Sequence, residues 1–344
     1  MSETSDSETG SGEVGQKASK LASASDAEPL HPKPSTPAPE SKTSKTSELA
    51  LRLVSPAFLI PLVLYVIHIG GLWHVALVIA FMLIAQREFY GLIEDKGAEP
   101  LVGLGLGFGL AVALIAYVGN EYHATLLMTF SLLVFMIAQL RKAEIRESLA
   151  SISGTYFGVF YVAWLLSHAI VLRFFYDSML SRYDAYDVEW LKITPESGAF
   201  FMTYTLAVVV ACDAGAYFAG RAFGKRKLAP RISPNKSVEG AIGGILFSIF
   251  IAVVFKGVYD YTLPTYSAAL PWALAIGFAP VLAVVGIVGD LVESLLKRDA
   301  EVKDTGDLLP GMGGVLDRID APLLGIPTMY YMMLAWVEFS IGYR

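Results

Sequence analysis

The second half of the chain contains two polar segments that interrupt apolar sequence and hold residue types suited to chemistry on phosphate groups. The first runs from Arg221 to Gly240, and six Lys or Arg residues fall between Arg221 and Lys236 without an acid among them. Glycines let a backbone approach phosphate oxygens, and Lys and Arg offset the phosphate charge. We therefore expect this segment to bind a polyphosphate. The candidate contacts are Arg221, Lys225, Ser233, Lys236, Ser237 and Glu239.

The basic residues of this segment have a second explanation. Cytoplasmic loops of membrane proteins carry an excess of Lys and Arg, and basic surfaces attract anionic lipid head groups. The hydroxyl groups, the glycine pair Gly243 and Gly244, and the acid Glu239 beside an apolar stretch favour a binding site.

Asp213 lies within a predicted membrane span, where an ionisable side chain is costly unless it faces protein, water or a metal. Tyr217 and Gly220 follow at helical spacing, so a helix places all three residues on one face. A hydrogen bond to a neighbouring helix is the structural alternative. The functional interpretation makes Asp213 an additional metal ligand.

The second polar segment runs from Asp290 to Asp320 and combines acids with a glycine-rich turn. If the preceding helix continues through its start, Asp290, Glu293, Ser294 and Lys297 share one face, which is also typical of an ordinary amphipathic helix end. Mg²⁺ takes oxygen ligands, commonly one or two carboxylates with substrate phosphates and water. Acids beside a basic segment at a membrane boundary therefore indicate an enzyme that acts on a phosphorylated lipid or a nucleotide.

These segments belong to a chain that is too apolar for a soluble domain. Hydrophobic residues make up 54% of it, charged residues 17%, and the mean hydropathy is +0.53. About nine continuous apolar stretches are long enough to cross a bilayer as helices, and none alternates as barrel strands do. The predicted fold is all-α and polytopic. The predicted spans are 53–70, 72–88, 101–118, 122–139, 152–174, 199–220, 238–256, 269–289 and 321–341.

The chain divides into a disordered cytoplasmic tail at 1–47, about five N-terminal spans at 48–198, and a catalytic membrane region at 199–344 with loops 221–237 and 290–320. An odd number of spans with the tail inside places the basic loops, and both polar segments, in the cytoplasm. We expect the cell (inner) membrane as the location. The net charge of −6 argues against a nucleic-acid partner, and Cys212 is expected to be a small buried residue.

The second segment resembles the signature of the phosphatidate cytidylyltransferases, also called CDP-diacylglycerol synthases. The upstream run from Asp213 to Gly240 is also similar to that family, whereas the earlier spans are similar in hydropathy alone. The signature is matched by Ser294, Leu296, Lys297, Arg298, Lys303, Asp304, Gly306, Leu309, Pro310, Gly311, Gly313, Gly314, Asp317, Arg318, Ile319 and Asp320.

The resemblance implies that CTP and phosphatidic acid react in a membrane, with Mg²⁺, to give CDP-diacylglycerol and pyrophosphate. It implies Asp290 and Asp317 as metal ligands, with Asp320 as a further ligand or a neighbouring acid. Lys297, Arg298 and Arg318 are then candidate phosphate contacts, joined by Lys225, Lys236 and Ser237 from the other loop. A second, monovalent cation and a homodimer are compatible with this scheme.

Met312 is where the chain departs from the family pattern, which usually has His before the Gly-Gly pair. A thioether neither transfers a proton nor donates a hydrogen bond. A phosphomonoester is already largely ionised at cytoplasmic pH, because its second pKa lies near 6. We therefore expect the His to be auxiliary and the chain to be active with Met312.

Two other functions remain open from the sequence. Buried acids and broken helices also mark ion-coupled transporters, although the internal repeats typical of such carriers are not evident and the polar residues gather at one membrane face. A CTP-dependent polyprenol or dolichol kinase would use the same nucleotide but transfer its γ-phosphoryl group.

Overall fold

A computed structural model describes residues 45–118, 121–142, 145–306, 308 and 313–343. The predicted tail at 1–47 lies outside the described residues apart from its last three positions, which begin the first helix. Met312 and the turn at 309–311 also lie outside them. The expectation about Met312 therefore stays a prediction.

The described chain is mainly helical, as continuous apolarity predicts. The long helices of the first half are α1 (Lys45–Ile69), α2 (Gly71–Asp95), α3 (Val102–Val118) and α4 (Glu121–Leu140). A continuous helix, Ser148–Arg173, then contains α5 (Ser148–Gly158), a π-helical segment (Val159–Trp164) and α6 (Leu165–Arg173). The long helices of the second half are α9 (Ser197–Phe223), α10 (Val238–Thr262), α12 (Trp272–Asp299) and α13 (Leu316–Gly342).

Short elements connect some of these helices. The connections contain α7 (Phe175–Leu180), α8 (Ala185–Trp190) and α11 (Pro264–Ser267). Strands β1 (Lys227–Ala229) and β2 (Ser233–Ser237) form an antiparallel hairpin between α9 and α10, with Lys227 opposite Ser237. The hairpin lies within the segment 221–237, which the sequence predicts as a loop.

A helical membrane protein is confirmed, and every predicted span coincides with a helix. Within the described residues, six helices are long and apolar enough to cross a bilayer: 71–95, 122–140, 148–173, 197–223, 238–262 and 272–299. Ala57–Ile69 and Val102–Val118 are shorter apolar helices. The ninth predicted span corresponds to α13, whose first turn is polar and which contains Pro322 and Pro327.

Helix α9 lies at the centre of the second half and packs against α10, α12 and α13. Small residues allow its close approach to α10, as is common where membrane helices pack. A Cβ atom at Gly215 would lie 2.6 Å from Phe247 Cβ, and one at Gly244 would lie 2.6 Å from the carbonyl oxygen of Cys212. Cys212 is buried at this interface, as predicted. This contact sets the spacing between the helices that flank the first polar segment.

Side-chain contacts gather both polar segments at one end of the helix bundle. Lys236, before α10, contacts Asp290 in α12, and Glu88 in α2 binds the backbone before α13. At the opposite end, His68 Nε2 lies 3.0 Å from the Tyr259 hydroxyl. The two polar segments therefore lie close together in the structure.

Candidate active site

A cavity of about 600 Å³ lies between α9, β2, α10 and α12. Helix α9 presents Asp213, Tyr217 and Gly220 to it, which confirms that these three residues share one face. The basic segment and α12 supply most of the other polar groups. These are Arg221, Ser233, Asn235, Lys236, Ser237 and Asp290.

Lys236 and Asp290 join the two polar segments across this cavity. Their side chains form an ion pair, and the Ser294 hydroxyl donates to Asp290 Oδ1 at 3.3 Å. Ser294 reaches Asp290 because α12 continues to Asp299, which places residues four apart on one face. The two charged side chains are 26% and 27% exposed, so both remain accessible from the cavity.

Two further acids, Asp213 and Asp320, lie near this ion pair. Asp213 is close enough to Asp290 and Asp320 for electrostatic interaction, and Lys236 is the cation acting on Asp213. Like charges held together disfavour their own ionised forms unless a cation offsets them. Within the described ranges, however, no group of three or more His, Cys, Asp or Glu residues is already arranged to hold a metal ion. The predicted ligands are neighbours but do not form an assembled coordination shell.

Asp317 has a different environment, because its carboxylate is nearly buried and fully hydrogen-bonded. Oδ2 accepts from Thr305 N, Thr305 Oγ1 and Gly314 N at 2.9, 3.0 and 2.8 Å. Oδ1 accepts from Lys297 Nζ at 2.7 Å. Asp317 thus holds Thr305 and Gly314, which precede α13, and also binds Lys297 in α12.

Lys297 also approaches Glu293 one turn earlier, with Nζ 3.3 Å from Oε1. Glu293 is 1% exposed, and neither carboxylate oxygen has a hydrogen-bond partner within the described residues. Asp320 lies beside this group and accepts a hydrogen bond from Ala321 N at 2.8 Å. Lys297, Glu293 and Asp317 therefore form a largely buried cluster of ionisable side chains next to the cavity.

The remaining predicted residues lie outside the cavity lining. Glu239 organises the basic segment, since its Oε2 accepts from the backbone N–H groups of Lys225 and Arg226 at 3.0 and 3.1 Å. Arg298 and Arg318 are exposed, and Arg298 donates to the carbonyl oxygen of Val302 at 3.5 Å. By contrast, Arg221 belongs to the lining and donates to the Tyr217 hydroxyl at 3.2 Å.

The arrangement of acids facing a basic segment can be compared with known proteins. The cytidylyltransferase family matches residues 50–336. The chain belongs to the cytidylyltransferase family. The matched residues extend well beyond the two polar segments and include nearly all of the helices described above.

Several curated relatives carry the name phosphatidate cytidylyltransferase. The Bacillus subtilis relative is 44% identical over 136 residues, which are 40% of this chain and 48% of that protein. The Haemophilus influenzae relative is 44% identical over 137 residues, 40% of this chain and 46% of that protein. The Synechocystis relative is 30% identical over 295 residues, 82% of this chain and 96% of that protein. The first two matches thus span about half of each relative, and the third spans nearly all of it.

Three groups in or near this candidate site were not singled out from the sequence. Asn235 lies between basic residues in the sequence and was not chosen as a candidate, although it lines the cavity. Thr305 lies in the signature segment, but its hydrogen bonds to Asp317 depend on how the turn folds. Glu88 is far from the second polar segment in sequence. The one feature of the sequence that could have indicated its role is its position at the end of a predicted span.

Proposed function

We propose that this chain is a phosphatidate cytidylyltransferase that converts CTP and phosphatidic acid to CDP-diacylglycerol and pyrophosphate. The main support is the cavity in which Lys236 of the basic segment meets Asp290 of the acidic segment, within a membrane protein of the cytidylyltransferase family. A triphosphate needs cationic side chains, and a cation bound to it needs carboxylates. This cavity offers both.

In the proposed reaction, an oxygen of the lipid phosphate attacks the α-phosphorus of CTP in line with the departing pyrophosphate. A new P–O bond forms as the bond between the α-phosphorus and the bridging oxygen breaks. The protein must bring two anions together and stabilise the charge that develops on the leaving group. Arg221 and Lys236 would offset phosphate charge, and Ser233, Asn235 and Ser237 would donate hydrogen bonds from the same lining.

The proposal includes Mg²⁺ held by Asp290 and Asp317, with Asp320 as a further ligand or a neighbouring acid and Asp213 as an additional candidate. Asp213, Asp290 and Asp320 are close enough to interact electrostatically, and such a group of carboxylates suits a divalent ion. When bound, Mg²⁺ would screen the triphosphate and stabilise the leaving group. Asp317 would become a ligand by exchanging one of its present hydrogen-bond partners, and a monovalent cation could bind beside the buried Glu293.

The proposed activity can be tested with purified protein, phosphatidic acid, Mg²⁺ and CTP labelled at its α-phosphorus. We expect the label to enter lipid together with release of pyrophosphate. A polyprenol or dolichol kinase would instead transfer label from γ-labelled CTP and release CDP. If no α-label enters lipid in this assay, the cytidylyltransferase proposal is rejected and the transporter alternative is open again.

The site is also proposed to face the cytoplasm, at the cell membrane. Cysteines introduced at the exposed Lys227 and Lys303 should react with a membrane-impermeant maleimide from the cytoplasmic side. Tyr261→Cys provides the opposite-end control, because Tyr261 is 90% exposed near the other end of α10. The native Cys212 is buried and gives little background labelling. Labelling of positions 227 and 303 from different sides would contradict a single shared site.

A further inference from the structure

Glu88 lies in α2, far from the signature segment in sequence, yet its carboxylate binds the backbone immediately before Asp317. Oε1 accepts from Val315 N at 2.9 Å, and Oε2 accepts from Leu316 N at 2.8 Å. Val315 occupies the N-cap position of α13, and its apolar side chain cannot accept a hydrogen bond. Glu88 therefore supplies from α2 the acceptor that commonly comes from the N-cap residue itself.

A carboxylate is well suited to this position. The exposed N–H groups at a helix N-terminus carry partial positive charge, and negative side chains stabilise that end. Both hydrogen bonds are charge-assisted, with each oxygen of Glu88 paired to a different N–H group. The contact thus fixes the start of α13 in two places rather than at one point.

Two glycines of the signature segment provide the space for this carboxylate. A Cβ atom at Gly314 would lie 2.6 Å from Glu88 Oε2, and one at Gly306 would lie 2.9 Å from Glu88 Oε1. Both distances are too short for real contacts, so a side chain at either position would displace Glu88 or the turn. The approach of Glu88, together with Thr305 Oγ1, which would lie closer still to a Cβ atom on Gly314, gives a physical reason for glycine at both positions.

Thr305 connects Glu88 to Asp317. Its hydroxyl oxygen lies 3.3 Å from Glu88 Oε2 and 3.0 Å from Asp317 Oδ2. A hydroxyl group has one hydrogen, so it donates to one of the two carboxylates at a time. The backbone N–H of Thr305 donates to Asp317 as well, at 2.9 Å. A displacement of Glu88 would therefore reach Asp317 both through α13 and through Thr305.

We propose that Glu88 is a positioning residue for the reaction, because it holds the start of α13, with Asp317 and Asp320, in place. This inference rests on the proposed function. Glu88 acts through the two acids and the turn before them. Reaction rates are sensitive to small displacements of reacting groups, so a contact that fixes a helix start can have a large kinetic effect. The N-terminal half of the chain would then contribute directly to the order of the site.

The test compares Glu88→Gln with Glu94→Gln. In Glu88→Gln an NH₂ group replaces one oxygen and faces a backbone N–H, so one hydrogen bond is lost. We expect cytidylyl transfer to fall about 10- to 100-fold, with a higher Mg²⁺ concentration for half-maximal rate. Glu94 lies in the same helix, is more exposed and pairs with Arg87 at 3.1 Å, so its variant should behave as the natural chain.

A second measurement needs neither turnover nor metal. Limited proteolysis of the segment between α12 and α13 should be faster in Glu88→Gln than in Glu94→Gln. The proposal would be overturned if folded Glu88→Gln matched the unsubstituted chain in transfer rate, in Mg²⁺ dependence and in the rate of cleavage. If that variant fails to fold, Glu88→Asp replaces it, because it keeps the charge but shortens the side chain that reaches Val315 N and Leu316 N, and unaltered behaviour there has the same meaning. If the natural chain transfers no cytidylyl group, the proposed function fails, whereas the cleavage rates still decide the role of Glu88.

Discussion

Asp290→Asn is expected to lower cytidylyl transfer at least about 10³-fold, equivalent to about 4 kcal/mol of transition-state stabilisation. Asp290 lines the cavity together with Asp213 and contacts Lys236, so its charge acts where the triphosphate and its cation are proposed to bind. An amide keeps the shape of the side chain but is a poor ligand for Mg²⁺ and offsets none of its charge. Initial rates of lipid labelling across a Mg²⁺ series measure the effect.

The folded state should tolerate this substitution. The Lys236–Asp290 pair is partly exposed, and such pairs contribute little to stability, about 1 kcal/mol or less. Loss of the charge also relieves repulsion with Asp213 and Asp320. Asp299→Asn is the matched control, because Asp299 lies in the same helix but pairs with Lys96 at an exposed position. Near-normal turnover of Asp290→Asn at saturating Mg²⁺ would remove Asp290 from the metal site.

The sequence predicted the helices well because hydrocarbon imposes a simple requirement on the chain. Every backbone polar group must be satisfied within a span, so each long apolar stretch becomes a helix. The bounds were less accurate where polar residues extend a helix beyond the apolar core. Helix α12, for example, continues from the predicted end at 289 to Asp299, and Glu293 pairs with Lys297 one turn later on the same helix face.

The site was predicted in part, since local spacing predicts shared faces but not contacts between distant segments. Asp213, Tyr217 and Gly220 face the cavity as helical spacing requires. The hairpin at Lys227–Ser237 was missed because its Pro and Lys residues are unusual for strands. Glu88 was missed because its partners are the backbone of Val315 and Leu316, whose N–H groups leave no signal in residue type.

Asp317→Asn should affect both activity and stability, which distinguishes it from Asp290→Asn. The Asp317 side chain is 5% exposed and accepts from Lys297, Thr305 and Gly314. If the amide oxygen keeps the contacts of Oδ2, the NH₂ group must face the Lys297 ammonium, where two donors oppose each other. Lys297 then keeps Glu293 as its remaining ion-pair partner in the described cluster. Loss of the buried Lys297–Asp317 pair should lower the free energy of unfolding by about 2 to 4 kcal/mol.

Thermal unfolding in detergent and lipid-labelling rates, measured on the same preparations, separate the two effects of Asp317→Asn. We expect a lower unfolding temperature together with loss of transfer, because the turn before α13 loses a fixed attachment to α12. Glu301→Gln is the control, since Glu301 is exposed between the same two helices. Full activity with reduced stability would assign Asp317 a structural role alone. Full stability with no activity would show that its hydrogen bonds contribute little to the fold, and that its charge is needed mainly for the reaction.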